Sequence, residues 1–158
     1  PAIDPLISWS RYLEQLRPWY AARMREGWTE RVRAMLALLR RGDAALQMMQ
    51  VTGEEGVTLE DFVIYQKALF LDMVYLQQDA YDPVDASTPV ERQQVAFGMV
   101  YDLVERAYVF ADKAEARAFF TRLTGLFKNF NYAREDSPDY QRLQGEIDAL
   151  AAGVSASG

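Results

Sequence analysis

TERVRAMLALLRRGDAALQMMQVTGEEGVTLEDF, residues 29–62, decides the fold class. From Thr29 to about Val51 the apolar positions are Val32, Met35, Leu36, Leu39, Leu46 and Met49. Separations of three, four and multiples near 3.6 put them on one face of an amphipathic helix. Gly42 falls in mid-pattern, where it costs about 1 kcal/mol relative to Ala, so a kink or break is expected there. Gly53-Glu54-Glu55-Gly56 then reads as a turn. Thr58-Leu59-Glu60-Asp61 reads as an N-cap with an acid at the third helical position, where a capping box places one. The next helix carries Phe62, Tyr65, Leu69, Met73 and Leu76 and fails near Asp79–Pro83, because Pro83 disfavours helix at Asp82.

The same signals continue in both directions. Thr88 caps a helix with Pro89 at its first position and Glu91 closing the box. Val90, Phe97, Val100, Tyr101, Val104 and Tyr108 form its stripe. Asp112 to Glu115 offers a further start, followed by Phe119, Phe120, Leu123, Leu126, Phe127 and Phe130. Ser137-Pro138 opens a last helix with Tyr140, Leu143, Ile147 and Leu150. Residues 1–27, dense in Pro, Trp and Tyr, read as a strap packed on something larger. Residues 28–152 read as a helical bundle, and 153–158 as a disordered tail of small residues. The expected fold is all-α, with five or six helices, tight turns near 53–57 and 132–137, and no sheet.

Composition narrows the chemistry. The 158 residues include 23 acids against 17 bases, for a net charge of −6, and half are hydrophobic. An acidic domain repels phosphate backbones, so nucleic acid is not an expected partner. No apolar run approaches the roughly 18 residues of a membrane span. There is no Cys and no His. Disulfides, thiolate ligands and Ser-His or Cys-His nucleophile systems are therefore excluded. No phosphate-binding glycine loop is present. The chain begins at Pro1 rather than Met and is expected to be a piece of a longer one.

The remaining chemistry is carboxylate chemistry. Asp82 and Asp85 could ligate a metal or act as an acid/base pair, though turn capping explains them as well. Glu54, Glu55, Glu60 and Asp61 cluster over a turn and a helix N-terminus, where the helix dipole alone favours acids. A solvated cap and a protein-contact loop both fit. The Phe119–Phe130 face reads as core, and Arg31, Arg33, Arg40 and Arg41 as a solvated helix face.

One stretch is unusual. Tyr75-Leu76-Gln77-Gln78-Asp79-Ala80-Tyr81, followed by Asp82-Pro83-Val84-Asp85, resembles the F-L-Q-Q-N-A-F-x-x-V-D segment of the catalytic A subunit of V-type and archaeal A-type rotary ATPases. Pro1 to Tyr12 (PAIDPLISWSRY) is similar to that family's P-A-I-x-W-L-x-S-Y-S-x-Y, and Leu46 to Gly53 (LQMMQVTG) to its L-Q-E-I-V-Q-L-V-G. Order and spacing agree over residues 1 to about 95, and beyond Phe97 only helix pattern remains. The corresponding F-type β-subunit stretch, F-L-S-Q-P-F, fits less well, because Gln77, Gln78 and Ala80 follow the V/A form.

The resemblance implies the C-terminal helical domain of that subunit. It implies ATP or ADP with Mg²⁺ bound by the intact subunit, and no cofactor held by this part alone. It implies B subunits alternating in a ring, a central rotor shaft, and coupling of ATP hydrolysis or synthesis to proton or sodium transport. The complex would be cytoplasmic and peripheral to the membrane, with no direct insertion by this chain. Ala80 and Tyr81 map to the edge of the adenine pocket. Glu54, Glu55, Glu60 and Asp61 map to the rotor-facing loop. Tyr stands for Phe at Tyr75 and Tyr81, and Asp for Asn at Asp79. A free-standing helical interaction module without nucleotide is the alternative from a different class.

Overall fold

The computed structural model describes residues 28–76, 90–134 and 137–156. The strap of 1–27, the glutamine pair, Asp79, Ala80, Tyr81, Asp82, Asp85 and the Thr88 cap lie outside the described residues. Among the described residues there are five α-helices and no strand: α1 Trp28–Thr52, α2 Leu59–Leu71, α3 Val90–Glu105, α4 Lys113–Tyr132 and α5 Pro138–Gly153. The expected all-α class therefore holds. The chain divides into two compact units, Pro1–Asp82 and Pro83–Gly158.

In the first unit α1 and α2 pack together as an antiparallel hairpin. The buried stripe of α1 is Met35, Leu38, Leu39, Gly42 and Ala45, with Val32, Leu36, Leu46 and Met49 only half-buried. Gly42 does not kink the helix, which runs unbroken from Trp28 to Thr52. Its role is closeness: a Cβ built on Gly42 would overlap the Cβ of Ala68, with the Ile64 carbonyl oxygen 3.6 Å away. The helices thus approach nearly backbone to backbone.

Helix α2 is buried on two faces. Ile64, Ala68 and Leu71 form one, at helical spacing, and Phe62, Gln66 and Phe70 form the other, with Val74 buried in the turn beyond. The single stripe expected from sequence is corrected here: Leu69 is 38% exposed, and Tyr65 and Met73 are half-buried. A helix buried on two sides has no clean apolar/polar divide for the 3.6 period to reveal. At Asp72 the α-helix widens into a π-helical turn, Asp72–Leu76, the last described residues before the glutamine pair.

The second unit is organised by aromatics. Helices α4 and α5 pack against each other. Ala116, Phe119, Phe120, Leu123, Phe127 and Phe130 are buried on α4, and Leu143, Ile147 and Ala151 on α5. Helix α3 buries Phe97, Val100, Leu103 and Val104. The caps are as expected: the Glu115 N–H donates to Asp112 Oδ1 at 2.8 Å, and the Tyr140 N–H to Ser137 Oγ at 3.2 Å.

Helix α3 stops at Glu105 instead of running on to Tyr108. The Tyr108 hydroxyl donates to the Leu103 carbonyl at 2.6 Å, and its ring lies 4.9 Å from Phe119 and 5.7 Å from Phe120. Desolvation by burial raises the Tyr108 phenol pKa, against the opposing pull of Arg106.

The tail also differs from its expected disorder over 153–156. Gly153 closes α5, and the next residues pair with the segment before α4. The Val109 N–H donates to the Val154 carbonyl at 2.8 Å, and the Ala156 N–H to the Ala107 carbonyl at 2.9 Å. Backbone pairing, which needs no large side chains, holds these small residues.

The crossing at Gly42 gives a sharp expectation. In an open helix Gly→Ala is worth about 1 kcal/mol of stabilisation. Here Gly42→Ala should instead destabilise by about 1–2 kcal/mol, because the hairpin has no room for the methyl group. Urea unfolding measures it. Adding Ala68→Gly should recover part of the loss, whereas a stabilised Gly42→Ala would contradict the packing.

Candidate functional site at the hairpin tip

The link between α1 and α2 is built from local rules. Helix α1 ends when the Gly53 N–H donates to the Met49 carbonyl at 2.8 Å and Gly53 takes φ 81° and ψ 170°. Only glycine adopts that region without strain. The Thr52 hydroxyl donates back to the Met48 carbonyl at 2.9 Å. One 3-10 turn follows, Glu54–Gly56, with the Gly56 N–H on the Gly53 carbonyl at 3.0 Å. A Cβ on Gly56 would overlap Thr52, so the turn lies tight against the end of α1.

Val57, 5% exposed, plugs the turn into the hairpin. Thr58 then starts α2: its Oγ1 accepts from the Asp61 N–H at 3.1 Å, and its carbonyl from the Phe62 N–H at 2.9 Å.

This frame brings the four acids to one end of the hairpin. Glu54 and Glu55 lie in the turn, Glu60 and Asp61 in the first turn of α2, and all four are exposed. The N-terminal end of α2 carries a partial positive charge, which favours Glu60 and Asp61 where they stand. On the nearby surface of α1, Gln47 Nε2 donates to Asp43 Oδ2 at 2.8 Å. Ala80 and Tyr81, the other pair singled out by sequence, lie outside the described residues. Of the four arginines read as a solvated face, Arg33, Arg40 and Arg41 are exposed on α1 and Arg31 is half-buried, while Phe119, Phe120, Leu123, Phe127 and Phe130 are core, as read from sequence.

Sequence reasoning missed Val51 and Met48, which are 86% and 49% exposed beside the turn. The available signal was their register. Val51 lies nine residues after Gly42, about two and a half helical turns, and so on the side away from α2. Gln66, buried at 6% exposure, was missed as well.

Among the described residues no group of three or more His, Cys, Asp or Glu side chains could hold a metal ion. No described helix is long and apolar enough to cross a membrane. Among the described residues the geometry offers a charged, exposed tip framed by two packed helices.

The chain, all-helical among its described residues, presents a short acidic turn. Its lineage follows from comparison with known proteins. The family model described as the C-terminal domain of V and A type ATP synthase matches residues 17–114, more than half of the chain. The V-type ATP synthase alpha chain 1 of Treponema pallidum is 38% identical over 155 residues, covering 98% of this chain and 24% of that protein. The Treponema denticola alpha chain is 41% identical over 133 residues, covering 84% of this chain and 21% of that protein. For Chlamydia pneumoniae the figures are 40% over 150 residues, 95% and 25%.

The chain belongs to the family of the C-terminal domain of V and A type ATP synthases. It spans about a quarter of the length of these curated relatives. The likeness also runs well past residue 95, where sequence motifs alone had stopped.

The tip's geometry can be checked directly. A side chain at Gly53 meets no atom within 4 Å, so the cost of Gly53→Ala is backbone strain alone. It should be about 1–3 kcal/mol. Thr58→Ala, which removes the cap bond, should cost about 1 kcal/mol. Thermal unfolding of the two variants tests both, and an unchanged Gly53→Ala would mean that the turn has a different conformation.

Proposed function

We propose that this chain is the C-terminal part of the catalytic A subunit of a V/A-type rotary ATPase, and that its acidic turn is the surface that meets the central shaft. The reading is carried by one observation: in a member of this family a short turn with exposed acids is held between two packed helices. A stiff projection can transmit a push. A flexible loop would dissipate it.

In this reading the intact subunit binds ATP or ADP with Mg²⁺ through segments upstream of Pro1. It alternates with B subunits in a ring and couples ATP hydrolysis or synthesis to rotation and to transport of protons or sodium ions. The complex works in the cytoplasm, peripheral to the membrane. Ala80 and Tyr81 supply one edge of the adenine pocket, where an aromatic ring can stack on the base without base-specific hydrogen bonds. The similarity to alpha chains over nearly the whole sequence supports this reading over a free-standing interaction module.

Two experiments on the intact enzyme test the two ends of this reading. Exposed charges contribute only about 0–1 kcal/mol each, so Glu54→Ala with Glu55→Ala should leave ATP turnover and coupling nearly intact. Deleting residues 54–57 should preserve hydrolysis while lowering the number of ions moved per ATP. Unchanged coupling after the deletion would remove the shaft role.

At the nucleotide, Tyr81→Phe should be nearly neutral. Tyr81→Ala should weaken binding by about 0.5–1.5 kcal/mol, seen mainly in KM if stacking is equal in ground and transition states. Equal KM values for wild type and Tyr81→Ala would rule out the adenine role.

A further inference from the structure

Among the described residues Gln66 is the one polar side chain buried in the core, 6% exposed near the middle of α2. Its carboxamide carries two donors and two acceptor lone pairs, and no described residue bonds to it. A buried amide left unmet is costly, so this one needs a partner. Phe62 and Phe70, four residues before and after it, share its face and are buried with it. Helix α1 does not supply the partner: Gly42 meets α2 at Ala68 and Ile64, on the other buried face. Water does not suit the place either. A buried water needs two to four polar partners, and the amide's neighbours along this face are phenyl rings.

The first compact unit runs from Pro1 to Asp82, so beside its described elements it holds residues 1–27 and 77–82. Residues 77–82, QQDAYD, bring two acids and one ring. Acids are costly to bury against two phenylalanines. Residues 1–27 bring Trp9, Tyr12, Trp19 and Tyr20, with Pro5 and Pro18 among them. Proline lacks an N–H and interrupts a helix, so the peptide groups around Pro5 and Pro18 have to find partners outside one. A carboxamide, with one C=O and one NH₂, is the complement of a peptide's N–H and C=O.

We propose that Phe62, Gln66 and Phe70 are the seat of the strap, residues 1–27. The two phenyl rings pack against its aromatic side chains, and the Gln66 carboxamide bonds to its main chain. Neither the shaft role of the turn nor the adenine role of Tyr81 enters this docking. Helix α2 is then clamped between α1 on one face and the strap on the other. In the function proposed above, a displacement upstream of Pro1 reaches the turn through α2 as well as through the backbone of α1.

The test uses the full-length subunit. A photo-reactive phenylalanine replaces Trp9, Tyr12 and Trp19 one at a time, and the captured peptides are sequenced. At least one position should capture a peptide from Leu59–Leu71. These crosslinks are made with Gln66 intact, so they report on the seat whatever a substitution there does. In a second arm, Gln66→Met keeps the side chain's size and helix preference and removes the amide. Hydrogen–deuterium exchange should then show at least one strap amide exchanging about fivefold faster, the effect of one lost hydrogen bond. The amides of α1 should stay within about twofold of wild type, since their helix is untouched.

Capture of α2 from none of the three positions would overturn the proposal. So would strap amides that exchange in Gln66→Met at the wild-type rate or slower, the outcome for an unpaired amide or a bound water. Either result leaves the shaft and adenine roles standing, because neither the turn nor Tyr81 is altered.

Discussion

Helix α1 comes so close to α2 at Gly42 that a single added methyl group would collide with Ala68. Most of the first unit depends on that approach. It lets Met35, Leu38, Leu39 and Ala45 on one helix close over Ile64, Ala68 and Leu71 on the other without large side chains at the crossing. Small residues at a helix contact trade apolar area for closeness, and closeness fixes the relative position of two rods better than a layer of long side chains. A hairpin fixed in this way presents its connecting turn at a defined place.

The turn continues the same economy. Gly53 reverses the chain direction in a conformation other residues avoid, Thr58 satisfies the free Asp61 N–H in the first turn of α2, and Val57 anchors the span between them. Glu54 and Glu55 stand exposed on a frame to which glycine, threonine and valine contribute. The second unit solves a different problem. Tyr108, Phe110, Phe119 and Phe120 form an aromatic cluster, and the pairing of Val154 to Ala156 with Ala107 to Val109 ties the end of α5 to it.

What was legible in the sequence follows from how each helix is buried. Helices α4 and α5 bury one face each, so their stripes were read nearly residue for residue, and Asp112 and Ser137 announced their starts. Helix α1 was read as a helix, but its contact centre was not. Gly42 and Ala45 do not register as hydrophobic, and Gly42 looked like a weakness. Helix α2 hid its pattern by burying two faces. Tyr108 fell in phase with α3 and was read as helix, although its hydroxyl is held by the Leu103 carbonyl beyond the helix end. The order of residues 153–156 comes from backbone pairing with a distant segment, which local composition does not encode. At the site, the acidic turn was visible from its glycines and the Thr58 cap. Val51 and Met48 were not, because exposure is a property of the packed hairpin. Ala80 and Tyr81 were reachable only through resemblance, since no pairing or periodicity distinguishes them.

The central claim is that the stiff hairpin brings its tip against the shaft. An electron cryo-microscopy reconstruction of the intact rotary complex, resolved well enough to trace side chains in the C-terminal domain, tests it most directly. The account predicts that in at least one catalytic subunit of the ring residues 54–56 touch the central shaft, with Gly42 still crossed against Ala68. A ring in which every copy of this turn points away from the shaft would contradict it.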